Sequence, residues 1–150
     1  KEMIANTTKL NSAGPDLAKL PGVHALTDVT GFGLAGHMLE LARGSHCTAH
    51  IDWSQVPLLS NVEQFAENGI ITGASGRNWE SYGHDVTTPA NFSAAQLALL
   101  TDPQTSGGLL VSCSPDSVKE VLAIFNQHHF LGARVIGQMS KSQCKPVVIS

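Results

Sequence analysis

The stretch from residue 23 to residue 43 restricts the fold of this chain more than any other. Residues 23–28, Val-His-Ala-Leu-Thr-Asp, have the length and apolar content of a β-strand that becomes polar at its end. A glycine-rich turn follows, and residues 31–43 place Leu34, Met38 and Ala42 on one face of a helix. A strand that turns directly into an amphipathic helix is typical of domains in which helices cover a β-sheet.

The rest of the chain repeats this alternation of strand and helix patterns. Ser93 with Gln96 and Ser60 with Glu63 have the spacing of capping boxes, which mark helix starts. Further strands are predicted over 47–52, 109–113, 134–139 and 146–149, and further helices over 1–10, 16–20, 60–67, 77–82, 93–100 and 114–128. About five strands mixed with helices predict a layered α/β or α+β domain.

Composition and charge exclude several classes of protein. The chain is 42% hydrophobic and 14% charged, so it can form a core but has few charges for a free-standing domain. Some of its surface is therefore expected to face another domain. The net charge is -3 and no basic stripe is present, which argues against a nucleic-acid partner. No apolar run reaches the roughly 18 residues of a membrane span.

The length of 150 residues is that of one domain, and the chain begins with helical spacing but no initiator methionine. We therefore expect a fragment of a longer protein, with a linking helical region over 1–20 and a core over 21–150. Cys47, Cys113 and Cys144 are widely spaced, so we expect small core residues in a reducing cytoplasm rather than disulfides or a zinc site.

The turn after the first strand contains Gly31, Gly33 and Gly36 in the spacing Gly-x-Gly-x-x-Gly. With Asp52 after the next strand, this spacing is that of a dinucleotide-binding fingerprint. However, the carboxylate of Asp28 would repel a pyrophosphate unless a cation mediates. A second interpretation makes Asp28 a Mg²⁺ ligand beside a phosphate at the helix start. In a third, Asp28 and Thr30 cap the helix and the glycines allow close packing. The residues alone leave all three open.

A second candidate lies at residues 102–108, Asp-Pro-Gln-Thr-Ser-Gly-Gly. Its backbone N–H groups and hydroxyls suit an anion or a tight contact with another domain. The alternative is a helix-to-strand turn whose glycines adopt unusual φ values. Of the other polar residues, His37 is expected to pack or cap, Arg77 with Asn78 to form a loop salt bridge, and residues 128–129 to be the solvated end of a helix.

Together these motifs resemble the selenophosphate synthetases, or selenide, water dikinases. The resemblance is carried by residues 27–37, Thr-Asp-Val-Thr-Gly-Phe-Gly-Leu-Ala-Gly-His, and by 102–110, with a lesser stretch over 77–83. It covers nearly all of the chain and concerns only the C-terminal half of those enzymes.

The resemblance implies a fold and an activity. The family belongs to the aminoimidazole ribonucleotide synthetase superfamily, whose C-terminal domain is an α+β, three-layer α/β/α unit with a mixed sheet and partly ferredoxin-like topology. Its enzymes convert ATP, selenide and water into selenophosphate, AMP and phosphate with Mg²⁺. They are cytoplasmic homodimers whose ATP lies mostly on the N-terminal domains.

The resemblance also assigns roles to individual residues. Asp28 matches a magnesium ligand, and Thr30, Gly31 and Gly33 match a phosphate-facing turn. The loop 102–108 matches a signature without an assigned role. The family's reactive cysteine or selenocysteine, its lysine and its other Mg²⁺-binding aspartates lie in the N-terminal half. We therefore expect this fragment to be inactive alone.

Overall fold

Seven α-helices and six β-strands make up the chain in a computed structural model that describes residues 2–150. The helices are α1 (Glu2–Thr7), α2 (Gly14–Leu17), α3 (Gly33–Ser45), α4 (Val62–Glu67), α5 (Gly73–Tyr82), α6 (Ala94–Leu100) and α7 (Val118–Gln127). The strands are β1 (Val23–Asp28), β2 (Cys47–Ile51), β3 (Val86–Thr87), β4 (Leu109–Cys113), β5 (Gly137–Lys141) and β6 (Val147–Ile149).

The strands form two separate sheets. In the first, β1 pairs antiparallel with β4, so that Leu26 lies opposite Val111 and Asp28 lies opposite Leu109. The second has the order β3-β6-β2-β5, in which β6 is parallel to both of its neighbours and β5 is antiparallel to β2. The expectation of an α+β domain with a mixed sheet is confirmed.

Helix α3 forms the centre of the larger core. Its residues Ala35, Met38, Leu39 and Ala42 are buried together with apolar residues of both sheets. On the four-stranded sheet these are Ala49, Ile51, Val86, Val147 and Ile149, and on the two-stranded sheet Leu110. Full burial of an aliphatic side chain contributes about 1.5–3 kcal/mol, so this cluster fixes α3 firmly against the strands.

A second core covers the other face of the β1–β4 sheet. Here Leu109 and Val111 pack against Val121 and Phe125 of α7. Alternate residues of a strand point to opposite faces, which explains why Leu110 belongs to the first core and its two neighbours to the second. The β1–β4 sheet is therefore covered by helices on both faces.

His128 ties this second core to the start of the chain. Its Nε2 lies 3.0 Å from Asp16 Oδ2 and its Nδ1 lies 3.0 Å from Ser12 Oγ. Only His129, whose φ is 63°, is the exposed residue that the sequence predicted at this helix end. The prediction for His128 was wrong because a tertiary partner, Asp16, covers it.

Several element boundaries differ from the predictions for physical reasons. Helix α3 does not end at residue 43, as predicted, but continues to Ser45, and His46 adopts the left-handed φ of 52° that ends it. Ser60 does not cap α4; it donates to the Glu2 carboxylate, while Asn61 precedes the helix with a φ of 65°. The capping box of Ser93 is confirmed.

Among residues 2–150, no helix combines the length and the apolar character needed to cross a membrane.

Candidate functional site

The two glycine-containing motifs lie side by side at the end of the β1–β4 sheet. The N–H of Val29 donates to the carbonyl of Gly108 at 2.9 Å, and the N–H of Gln104 donates to the carbonyl of Thr30 at 3.0 Å. A Cβ on Gly107 would lie only 1.9 Å from the carbonyl oxygen of Val29, so this contact requires glycine. The sheet thus brings together residues 28–36 and 102–108, which are distant in sequence.

Gly33 and Gly36 are needed for packing. Gly33 has a φ of 69°, and a Cβ there would lie 2.6 Å from the backbone carbon of Thr101. A Cβ on Gly36 would lie 2.4 Å from Cβ of Phe32. Gly31, in contrast, has open space around its Cα. Of the three residues predicted to face a phosphate, Gly33 is therefore explained by packing, whereas Gly31 and Thr30 lie at the accessible part of the turn.

Asn78 and Tyr82 of α5 hold the turn in place. The Nδ2 of Asn78 donates to the carbonyls of Gly31 and Thr101, both at 2.9 Å. The hydroxyl of Tyr82 donates to the carbonyl of Phe32 at 2.5 Å, and burial raises the pKa of Tyr82 to about 12. The predicted salt bridge at Arg77 and Asn78 was wrong: within residues 2–150 Arg77 forms no ion pair, and the Asn78 amide bonds to backbone carbonyls.

Asp28 ends β1 with an exposed side chain. Within the described residues, its carboxylate has neither a hydrogen-bond donor nor a basic partner. No group of three or more histidine, cysteine or acidic side chains in residues 2–150 is arranged to hold a metal. Mg²⁺ in phosphate sites takes only one or two carboxylates, together with waters and phosphate oxygens. A single free carboxylate can therefore supply one of the ligands of such an ion.

The backbone after Asp28 presents free donors. In residues 2–150, the N–H groups of Thr30, Gly31 and Phe32 have no protein acceptor, whereas the N–H of Gly33 donates to the carbonyl of Thr30 at 3.1 Å. They precede α3, whose first turn adds further unpaired N–H groups and the positive end of its dipole. Such an arrangement of N–H groups suits an anion such as a phosphate.

The side chain of Thr30 does not cap α3 as the third sequence interpretation expected. Its Oγ1 lies 2.9 Å from Nε2 of His37, whose Nδ1 lies 2.9 Å from Oε2 of Glu40. His37 is only 6% exposed. The prediction that His37 packs or caps agrees with this burial, but its link to Thr30 was not foreseen.

Polar contacts with other segments of the chain hold the loop 102–108 in place. The Thr72 hydroxyl donates to Asp102 Oδ1 at 3.1 Å, and the Asn11 amide donates to the carbonyl of Gly107 at 2.8 Å. The left-handed φ in this loop, 56°, belongs to Ser106. The expectation that its adjacent glycines need unusual φ values was therefore wrong: Gly107 is needed for its close approach to Val29.

The dinucleotide interpretation fails on topology. It requires the first two strands to be parallel neighbours, with Asp52 reaching the ligand of the glycine turn. Here β1 and β2 lie in different sheets. Asp52 instead accepts from the N–H and the hydroxyl of Ser54, at 3.0 and 2.7 Å.

The cysteines are free and none is fully buried. Cys113 packs against the second core, so the prediction of core residues holds for it, but the prediction was wrong for the exposed Cys144. Cys47 and Cys113 are half-buried and Cys144 is exposed. Burial raises the pKa of Cys113, which makes its thiol a poorer nucleophile at neutral pH.

Comparison with known proteins places these motifs in a family. Residues 5–149 match the family model described as AIR synthase related protein, C-terminal domain. The chain is 56% identical over 147 residues to selenide, water dikinase of Paraburkholderia xenovorans (strain LB400); the aligned region covers 98% of this chain and 42% of that protein. The corresponding enzyme of Pseudomonas straminea is 57% identical over 148 residues, covering 99% and 42%. That of Rhizobium meliloti (strain 1021) is 48% identical over 150 residues, covering 100% and 43%.

Solved structures agree with the fold. The hydrogenase maturation protein HypE in complex with ATP superimposes with a TM-score of 0.60 at 19% identity, over 93% of this chain and 36% of that one. HypE of E. coli gives a TM-score of 0.58 at 21% identity, over 92% and 35%. At these identities the likeness concerns the fold alone. The chain spans about two fifths of the length of the curated relatives it matches.

Proposed function

Because the chain belongs to the family of AIR synthase related C-terminal domains, we propose that it is the C-terminal domain of a selenide, water dikinase. The whole enzyme would make selenophosphate from ATP, selenide and water, releasing AMP and phosphate. The identities of 48–59% to proteins with that name support the choice of activity within the family. The observation that carries it here is the contact between residues 28–36 and 102–108, which forms one surface with a free carboxylate and free N–H groups.

Phosphoryl transfer depends mainly on positioning and on neutralising charge. In the proposed site Asp28 would be one ligand of Mg²⁺, which would supply charge neutralisation for ATP when bound. Thr30 and Gly31 direct backbone N–H groups at phosphate oxygens. Gly33 allows the turn to pack closely against Thr101, and Asn78 fixes the turn through its two hydrogen bonds to backbone carbonyls. No nucleophile or lysine is assigned to this chain.

The remaining groups are assigned to an N-terminal domain of the same protein. ATP with several Mg²⁺ ions needs more carboxylates than Asp28 alone. An apolar surface suits such a domain: the segment 58–71 exposes five large apolar side chains, Leu58, Leu59, Phe65, Ile70 and Ile71. These side chains lie within one stretch of the chain, and large exposed apolar areas mark contact sites. We assign this surface to contact with the N-terminal domain. Residues 1–20 would form the linking region between the two domains. The whole protein would be a cytoplasmic homodimer.

The test is a comparison of the full-length protein with the isolated 150-residue chain. We expect AMP and phosphate to form from ATP only when selenide is present, and only with the full-length protein. Formation of AMP without selenide would refute the dikinase assignment. Selenide-dependent AMP formation by the isolated chain would refute the division of the site between two domains.

A further inference from the structure

The segment that precedes β1 is anchored to the second core rather than lying free on the surface. Ala13 and Leu17 have no exposed surface and pack with residues of α7. Between them and Asn11, the hydroxyl oxygen of Ser12 lies 3.0 Å from Nδ1 of His128. Because these anchored residues follow Asn11 directly, its backbone lies on a fixed support.

The side chain of Asn11 reaches from this segment to the loop 102–108. Its Nδ2 donates to the carbonyl of Gly107 at 2.8 Å, and the bond is partly buried. A carbonyl oxygen can only accept, so the amide nitrogen of Asn11, and not its oxygen, must face Gly107. The two residues are 96 positions apart in sequence, so this hydrogen bond joins distant segments and serves no local turn.

Gly107 connects this hydrogen bond to the turn after β1. It lies so close to Val29 that a Cβ at position 107 would be 1.9 Å from the Val29 carbonyl oxygen. The next carbonyl, that of Gly108, accepts from the N–H of Val29 at 2.9 Å, and the N–H of Gln104 donates to the carbonyl of Thr30 at 3.0 Å. Asn11 therefore fixes the part of the loop that contacts the turn, next to the N–H groups that the proposed site directs at phosphate.

We propose that Asn11 is a positioning residue: through Gly107 it holds the loop 102–108 against the turn after β1, and so keeps the N–H groups of Thr30 and Gly31 in place for a phosphate. The segment before β1 thus helps to shape the site instead of only connecting it to the rest of the protein. The phosphate part of this inference rests on the proposed function, whereas the contact between loop and turn does not.

Hydrogen exchange of backbone amides in the full-length protein tests the contact without measuring activity. Asn11→Asp keeps the shape of the side chain but removes the donor, and Asn11→Ala removes the donor without adding charge. In both variants we expect the N–H groups of Val29 and Gln104 to exchange about 3- to 10-fold faster, as the loss of one hydrogen bond implies. The N–H of Ala49, which donates to the carbonyl of Pro146 at 2.8 Å in the other sheet, should keep its rate.

Asn6→Asp is the matched control, because the amide of Asn6 also donates to a backbone carbonyl, that of Glu2 in α1, at 3.0 Å. It should leave the exchange of all three amides unchanged. Unchanged exchange of Val29 and Gln104 in the Asn11 variants would overturn the proposal. An equal acceleration of all three amides would overturn it too, because Asn11 would then stabilise the fold as a whole.

Steady-state kinetics of the full-length protein test the consequence for phosphate binding. Asn11→Ala is expected to raise the KM for ATP about 3- to 10-fold with a smaller change in kcat, because the N–H groups are displaced before the reaction begins. An unchanged KM for ATP, with or without a fall in kcat, would overturn the link to phosphate. Absence of selenide-dependent AMP formation in the unchanged protein would instead refute the proposed function, and amide exchange then still decides whether Asn11 positions the loop.

Discussion

Replacement of Gly33 by alanine tests how the turn after β1 packs against the backbone of Thr101, which immediately precedes the loop 102–108. Gly33 has a φ of 69°, and left-handed backbone costs a residue with a Cβ about 1–2 kcal/mol. The added Cβ would also lie 2.6 Å from the backbone carbon of Thr101 and 2.9 Å from its oxygen. Backbone cannot move aside as a flexible side chain can, and overpacking of this kind costs about 1–3 kcal/mol.

The sum predicts that Gly33→Ala lowers the free energy of unfolding by about 2–5 kcal/mol. For a chain of this size that corresponds to a fall in Tm of roughly 5–15 °C. Gly31→Ala is the matched control, because Gly31 has open space and no positive φ. It should change stability little, or raise it slightly by restricting the unfolded chain.

Urea denaturation followed by circular dichroism measures both variants under one set of conditions. If the free energies of unfolding of Gly33→Ala and Gly31→Ala differ by less than about 0.5 kcal/mol, the close contact with Thr101 does not restrict which residue can occupy position 33. The explanation of Gly33 by packing would then be refuted, and a role in contacting phosphate would have to account for it.

Three further predictions concern stability and ionisation. Because the chain has a single tyrosine, tyrosinate absorbance reports Tyr82 alone, and the pKa of Tyr82 should be about 12 in the folded protein. The free energy of unfolding should therefore fall between pH 10 and pH 12. A pKa at the ordinary value of 10.0 would show that the ring is exposed. Ser93→Ala should cost about 1 kcal/mol in urea denaturation, because it removes the cap of α6, and an unchanged midpoint would contradict this. The hydrogen bond from Lys19 holds the pKa of Asp16 below its usual 3.8. The stabilisation from the ionised Asp16 is therefore present above pH 3.8 and is lost as the pH falls through the folded pKa. Asp16→Asn should remove this contribution when the free energy of unfolding is measured against pH.

The elements that the sequence predicted well are those with local causes. Residues 23–28 and 109–113 form strands at the predicted positions because their apolar content and flanking turns are sufficient signals. Helix α6 begins where the Ser93 capping box places it. In contrast, β3 has two residues, too few for a periodic pattern, and exists because it pairs with β6.

The candidate site was predicted as two separate motifs, and their contact could not be predicted. It depends on the pairing of β1 with β4, which joins residues far apart in sequence. The same holds for the bond between Thr30 and His37, since a threonine before a helix is usually a cap. The resemblance drew attention to the stretch 77–83, but the contacts of Asn78 with two backbone carbonyls appear only in the fold.

The most direct test of the proposed site is Asp28→Asn in the full-length protein, measured as selenide-dependent AMP formation at saturating ATP. Asp116→Asn, which changes an exposed carboxylate at the start of the segment before α7, is the control. A metal contributes several kcal/mol to charge neutralisation, so loss of its ligand should lower the rate about 100-fold or more. The fold should persist, because no residue in 2–150 bonds to the Asp28 carboxylate. A rate for Asp28→Asn close to that of the control would contradict the assignment of Asp28 to Mg²⁺.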